Sequence, residues 1–326
     1  MVRMDYQVRL QYEAQGESDF VLNICPARTR SQRVLRERLA VDGATASHAY
    51  TDPLNANRIN RLHTEGGLVT VSYAGSIALD HVIVDAAHAE ERPIRSIPSD
   101  VLTYILPSRF CPSDRMHDIA LAVFGNMAPG YARVAAICDW VKQHVRFTPG
   151  ASNATTNAIE TFDSRTGVCR DYAHLMITIC RALNIPARYV TGADYGADPA
   201  FGPPDFHAYV EVFLGERWYL FDPTGMTEVL GLIRIGTGRD AADVSFATLF
   251  GNVHCMRPFV DIEMVSCDAG LFAGVQSKRN AVSTANGSLY FHKTQAHVEP
   301  AQLAPMVPMP WTVPVVPHTA RAAQFA

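Results

Sequence analysis

Two apolar runs, Phe206 to Leu214 and Arg217 to Phe221, stand on either side of the dipeptide Gly215-Glu216. A two-residue loop with glycine first joins antiparallel strands without splaying them, because glycine takes the positive φ that the first turn position requires. Such a loop also fixes the register: Leu214 pairs with Arg217, Val212 with Tyr219, and Tyr209 with Asp222. Side chains alternate along a strand, so residues 207, 209, 211 and 213 share a face with 218, 220 and 222. His207 and Asp222 are then diagonal neighbours, within reach of a side-chain hydrogen bond. A three-residue loop would place them on opposite faces. Both faces of the hairpin are otherwise largely apolar, which suits the centre of a sheet covered on both sides.

Upstream, Tyr172, Leu175, Met176, Ile179, Cys180 and Leu183 recur at helical spacing, with Gly167 just ahead of them and Asn184 and Pro186 at the end. Cys169 therefore falls at a helix N-terminus, where unpaired N–H groups and the helix dipole favour a thiolate. A thiol nucleophile also needs an imidazole to hold or take its proton and a carboxylate to orient that imidazole. The hairpin offers His207 and Asp222, and packing of the helix against one of its faces is expected to bring Cys169 to His207. Read singly, Cys169 is a small core residue, His207 a satisfied core histidine and Asp222 a turn cap ahead of Pro223. Read together, Cys169, His207 and Asp222 are a candidate triad.

The rest of the 326-residue chain is organised around this unit. Residues 1–90 read as a β domain: Tyr6, Val8 and Leu10 alternate with polar neighbours, and further strands are expected at Phe20 to Ile24, Gln32 to Val41, Arg58 to His63, and Leu68 to Val84 with a break at Gly75. Residues 91–115 carry Pro93, Pro98, Pro107 and Pro112 and read as a connector without long helices. Residues 116–295 form the second domain, opening with two helices between Met116 and Val145 that break at Pro129-Gly130. After the Cys169 helix come a strand at Arg188 to Thr191 and a loop from Gly192 to Asp205. The hairpin follows, then a helix at Ala241 to Phe250 and a strand at Phe259 to Cys267. Residues 296–326, with six prolines from Pro300 to Pro317, read as an extended tail.

Several function classes are disfavoured. With 28 Lys and Arg against 32 Asp and Glu spread along the chain, no basic face is expected to recruit nucleic acid or an anionic membrane. The apolar runs fall short of the ~18–20 residues that span a bilayer. The first ten residues lack the apolar core and cleavage site of a signal peptide, so a soluble, cytoplasmic protein is expected. Seven cysteines without a CxxC, and twelve histidines without an HExxH, argue against a disulfide framework or an advertised metal site. No cofactor is expected.

Four blocks carry a resemblance: Gly167-Val-Cys-Arg-Asp-Tyr-Ala-His-Leu, Pro186-Ala-Arg-Tyr-Val-Thr-Gly, Asp205-Phe-His-Ala-Tyr-Val-Glu-Val and Trp218-Tyr-Leu-Phe-Asp-Pro-Thr. In this order they resemble the bacterial transglutaminase-like family of papain-like cysteine enzymes. Weaker similarity extends to Gly238-Arg-Asp-Ala-Ala-Asp and back through Tyr104 to Asp114. The resemblance implies an α+β fold, in which a helix-borne Cys packs on an antiparallel sheet behind an N-terminal β-sandwich-like domain. It implies Cys169 as nucleophile, His207 as base and acid, and Asp222 as orienting carboxylate, acting on a protein or peptide substrate. With no clustered DxDxD calcium loop in the chain, hydrolysis of an amide is the expected outcome, with transamidation to an amine as the alternative and a non-catalytic binding module as the reading from another class. The Cys169 backbone N–H is the expected first oxyanion donor, and Trp140 is a distant candidate for the second. His174 is expected behind the site or in the core, Cys180 in the core, Asp171 as a helix-dipole residue, and Arg239, Asp240 and Asp243 as a polar network near the site. Tyr195 and Phe201 are expected in a wall of the cleft.

Overall fold

The computed structural model describes residues 1–196, 204–268 and 280–286. Alternation shapes the first part. In β1 (Val2–Ala14) every second residue is buried, from Val2, Met4 and Tyr6 to Ala14, while those between face outward. Each such side chain withdrawn from water contributes about 1.5–3 kcal/mol, which fixes the strand's register against a one-residue slip. The strands β2 (Ser18–Leu22), β3 (Gln32–Asp42), β4 (Ala46–Thr51), β5 (Arg58–Thr64), β6 (Gly67–Leu79) and β7 (Val82–Asp85) follow.

The helical part begins with α1 (His117–Phe124) and α2 (Tyr131–His144), separated as expected at Gly130, whose φ is +133°. Next come β8 (Arg146–Phe147), α3 (Ala158–Ser164), β9 (Thr166–Gly167) and α4 (Cys169–Ala182). A reciprocal cap starts α3: the Asn157 side chain accepts from Ile159 and Glu160 N–H, and the Glu160 carboxylate accepts from Asn157 N–H. At the far end of α4, Asn184 takes the left-handed conformation, φ +60°, that stops a helix. Then follow β10 (Ala187–Ala193), β11 (Phe206–Leu214), β12 (Arg217–Phe221), β13 (Ile233–Gly238) and α5 (Ala241–Val244). The chain continues through β14 (Ala247–Phe250), β15 (Val253–Cys255), β16 (Phe259–Cys267) and β17 (Asn280–Asn286).

These elements make an α+β molecule. One sheet runs β15-β1-β6-β3, with β16 also on β1, and a second runs β14-β2-β5-β4. Their apolar faces meet in a core of residues such as Tyr6, Leu10, Phe20, Leu22, Val71 and Ile77. A third, antiparallel sheet runs β13-β10-β11-β12-β17-β7. Helix α4 lies against it, wrapped in turn by α1, α2 and α3, and from Asp171 to Ala182 every one of its side chains is buried. A helix enclosed on all sides is a rigid mount for whatever stands at its end. The connector packs Ile97, Val101 and Tyr104 onto Phe213 and Trp218, covering part of the opposite face of the third sheet.

The structure differs from the sequence expectations in several places. Strand β6 runs unbroken through Gly75, and the interruption comes at Asp80-His81. Gly75 pairs with Glu37 of β3, one step from a bulge between Val34 and Arg36, and a Cβ on it would stand 2.7 Å from the Tyr73 hydroxyl. The expected helix at Ala241 to Phe250 is helical only to Val244. Residues 247–250 instead pair with Leu22 to Asp19 of β2, where ladder bonds and sheet burial outweigh local helical spacing. The division between residues 1–90 and 116–295 does not hold for all strands: β14, β15 and β16 join the sheets of the N-terminal part, and β7 pairs with β17 in the third sheet. Edge strands seek partners wherever backbone donors are unpaired, regardless of chain position. The expected tail at 296–326 lies outside the described residues.

Candidate active site

Cys169 is the first residue of α4, and its position is set by three neighbours. Val168 is extended (φ −111°, ψ 180°) and donates its N–H to the Asp171 carboxylate at 2.8 Å, while Asp171 N–H returns to Val168 O at 2.9 Å. Asp171, expected only to complement the dipole, is therefore a fully buried clasp on the helix start. The clasp needs Gly167, because a Cβ there would stand 2.7 Å from Asp171 Cβ. Arg170 holds the same carboxylate and reaches the Ser152 hydroxyl and, at 2.7 Å, the Asn153 carbonyl. As the first helical residue, Cys169 has an N–H with no intrahelical acceptor.

The hairpin forms with the inferred register: Leu214 pairs with Arg217, Val212 with Tyr219 and Val210 with Phe221. Gly215 has φ +56°, and Glu216 keeps a negative φ. His207 and Asp222 consequently share a face, and His207 Nε2 lies 3.1 Å from Asp222 Oδ1. The thiol of Cys169 stands beside the same imidazole, near enough to raise its hold on a proton. With Nε2 committed to Asp222, Nδ1 is the ring nitrogen left to serve the thiol.

One expectation is corrected here. The face under α4 carries Ala208, Val210, Val212 and Leu214, whereas His207 has the opposite parity and shares its side with Tyr209. The thiol–imidazole contact is thus made at the end of the sheet, at the second residue of β11, and not across the middle of a face.

Burial and charge compete at this pair. Burial alone would strip the His207 proton, but the charge and hydrogen bond of Asp222, followed by the contact with Cys169, outweigh it and raise the imidazole well above its ordinary value. Burial would likewise push Asp222 up, yet His207 and the Thr224 donors hold its carboxyl well below the usual carboxylate range. Two further carboxylates, Asp194 and Asp205, flank the strand that carries His207. Burial pushes Asp205 up to about 6 and raises Asp194 as well.

The secondary candidates lie elsewhere. His174 is fully buried between the Phe110 and Tyr189 rings, and its Nε2 accepts from Ala241 N–H at 3.1 Å. Burial, with Arg170 and Arg181 nearby, pulls it well below an ordinary histidine and keeps it neutral. Cys180 is core, as expected. Asp240 caps α5 and accepts from Phe110 N–H, Arg239 pairs with Asp243 at the surface, and the Arg239 carbonyl accepts from Arg181. Arg181 stands twelve residues after Cys169, about 18 Å along the helix, so this network props the far end of α4 and not the site. Trp140 sits in an aromatic stack with His144 and Phe162. Tyr195 packs on Gly231, and Phe201 lies outside the described residues.

Sequence reasoning missed Glu211, which is completely enclosed and bound by Arg188, Arg234 and the Thr284 hydroxyl. The signal was present: a carboxylate in a nine-residue strand whose other polar residue is His207 implies buried cationic partners. Among the described residues no three His, Cys, Asp or Glu side chains gather as a metal would require, and all seven cysteines are free.

Residues 118–223 match the model of the transglutaminase-like superfamily core, and residues 3–100 match the N-terminal domain of bacterial transglutaminase. The crystal structure of a candidate cysteine protease from Cytophaga hutchinsonii aligns with a TM-score of 0.81 at 33% identity, covering 87% of this chain and 98% of that one. An uncharacterized protein of Mycobacterium tuberculosis is 33% identical over 248 residues, 68% of this chain and 77% of its own. Another, of Mycobacterium leprae, is 26% identical over 276 residues, 81% of this chain and 96% of its own. Together with an α+β architecture that mounts a cysteine on a buried helix beside an antiparallel sheet, these matches show that the chain belongs to the bacterial transglutaminase-like family, with that family's N-terminal domain ahead of a transglutaminase core.

Proposed function

We propose that the protein is a cysteine hydrolase, a peptidase or amidase acting on a protein or peptide substrate. The observation that carries the reading is the grouping of the Cys169 thiol, at a helix N-terminus, beside a His207 imidazole that is hydrogen-bonded to the Asp222 carboxylate. The Cys169 sulfur attacks the amide carbonyl, and the oxyanion that forms takes the Cys169 N–H. As the C–N bond breaks, His207 gives its proton to the leaving nitrogen and a thioester remains. Water then loses a proton to His207 and attacks the thioester; the C–S bond breaks, the acid departs and the thiolate returns. Asp222 stays ionised throughout and holds Nε2, so that Nδ1 serves the sulfur. The naming of the 33% identical Cytophaga protein as a candidate cysteine protease supports hydrolysis over transfer to an amine.

The test is competitive alkylation by iodoacetamide at pH 6–7, mapped over all seven cysteines by mass spectrometry in the wild type and in His207→Ala. Cys169 is expected to react well ahead of the exposed Cys255 and to lose at least about tenfold in the variant. Equal rates at Cys169 and Cys255, or no change in the variant, would overturn the reading. If Cys169 passes the test but a glutamine peptide gains a supplied primary amine faster than it is hydrolysed, the enzyme is a transamidase.

A further inference from the structure

The Asp222 carboxylate is held by far more than the histidine it orients. Its Oδ1 accepts from His207 Nε2 at 3.1 Å, from Thr224 N–H at 3.0 Å and from the Thr224 hydroxyl at 2.7 Å. Its Oδ2 accepts from Met226 N–H at 3.1 Å, Thr227 N–H at 3.1 Å and the Thr227 hydroxyl at 2.9 Å. Six donors converge on a group with about four lone-pair sites, and five of them come from the five residues that follow it. The tight turn that achieves this depends on Gly225, at φ +61°, over which Lys142 of α2 lies so closely that a Cβ would meet its Nζ at 2.1 Å.

A carboxylate saturated in this way has a fixed direction and a divided charge. Each hydroxyl that donates to it draws negative charge from the bond to His207, and Thr224 draws from the same oxygen that His207 uses. We infer that Thr224 and Thr227 are positioning residues of this site, whose hydroxyls share the Asp222 charge with His207 and thereby set how firmly the imidazole holds the proton it must deliver. The inference rests on the hydrolase reading of the triad.

The other groups around the pair are accounted for. Cys169 approaches from α4, Asp194 and Asp205 from the segments flanking the loop before β11, and Cys138 and Lys142 from α2. None of them donates to an Asp222 oxygen, so removing one hydroxyl leaves them in place; Met226 N–H, which the Thr224 hydroxyl also accepts at 3.1 Å, keeps its bond to Asp222 Oδ2.

The experiment follows the ring nitrogens of His207 by NMR in the full chain labelled with [15N]histidine, the resonance being assigned by its loss in His207→Gln. Thr224→Val is expected to raise the His207 titration midpoint by about half a unit or more, and Thr227→Val by less, since it relieves the remote oxygen. Thr224→Ser and Thr227→Ser, which keep the hydroxyls, should restore the wild-type midpoint. Folded valine variants with an unmoved midpoint, or serine variants shifted as far as the valine ones, overturn the inference. So does unfolding of both valine variants by circular dichroism, which would make the hydroxyls structural. The hydrolase reading fails separately, in the alkylation comparison of wild type with His207→Ala.

Discussion

Replacing Glu211 by Gln keeps the shape of the side chain and removes its charge from a place that water does not reach. The carboxylate binds Arg188 through Nε at 2.7 Å and Nη2 at 2.6 Å, takes Nη2 of Arg234, and accepts the Thr284 hydroxyl at 2.6 Å. Burial alone would push the Glu211 carboxyl up, but the charges of Arg188 and Arg234 outweigh it and hold it at about 2, below its ordinary 4.5. At about 1.4 kcal/mol per pH unit, that gap is worth about 3 kcal/mol of stability at pH 7. A second route gives a similar figure, since leaving buried guanidiniums without their anion costs about 3–5 kcal/mol. Because the folded value lies below the unfolded one, the contribution is complete above pH 4.5 and fades as pH falls towards 2. Urea unfolding of Glu211→Gln against wild type should therefore show a deficit of about 3 kcal/mol at pH 7, narrowing to about 2 kcal/mol at pH 3.5. A deficit below about 1 kcal/mol, or one that does not narrow in acid, would refute the reasoning.

Two further substitutions probe the ends of the site. Burial holds Asp205 at about 6 in the folded chain against an ordinary 3.8, so its ionisation costs stability that is lost as pH rises between those values. Asp205→Asn can keep the acceptor for Phe206 N–H, and after allowance for partial exposure it should be more stable than wild type by about 1–2 kcal/mol at pH 8 and no different at pH 4; the reverse pattern in thermal melts would sink this account. Gly167→Ala drives a methyl group into Asp171 and must loosen the clasp on Val168, costing about 1–3 kcal/mol and slowing alkylation of Cys169. Unchanged alkylation in that variant would show that the helix start tolerates the displacement.

The hairpin was legible because a two-residue turn leaves no freedom of register: once Gly215-Glu216 is the loop, the parity of His207 and Asp222 follows by counting. The start of α4 was legible for a similar reason, since Gly167 and the apolar spacing after it act locally. What escaped depends on contacts between distant stretches. Nothing inside Ala247 to Phe250 says that it will find Leu22 to Asp19, more than 220 residues earlier, and a short apolar run suits a helix or a strand equally well. Likewise Glu211 announces that it needs cations, but choosing Arg188 and Arg234 requires the order β13-β10-β11. The cradle around Asp222 lies between these extremes. Apart from His207, its donors are Thr224, Met226 and Thr227, all within the next five residues, yet whether the turn closes on the carboxylate depends on a positive φ at Gly225.

Strand β1 is held on one side by β6 and on the other by β15 and β16, so the partners on its two sides are separated by some 170 residues that build the helical core. A chain emerging from the ribosome can pair β1 with β6 early, but that half-made sheet must wait with one flank open until the core has been synthesised. Closing it then draws together points at opposite ends of the described chain, the kind of long-range pairing that slows folding. Cutting the polypeptide near residue 115 would not release an N-terminal module. It would leave β1 and β2 each with a bare edge and their apolar faces short of cover, so the two halves of this molecule depend on each other to finish folding.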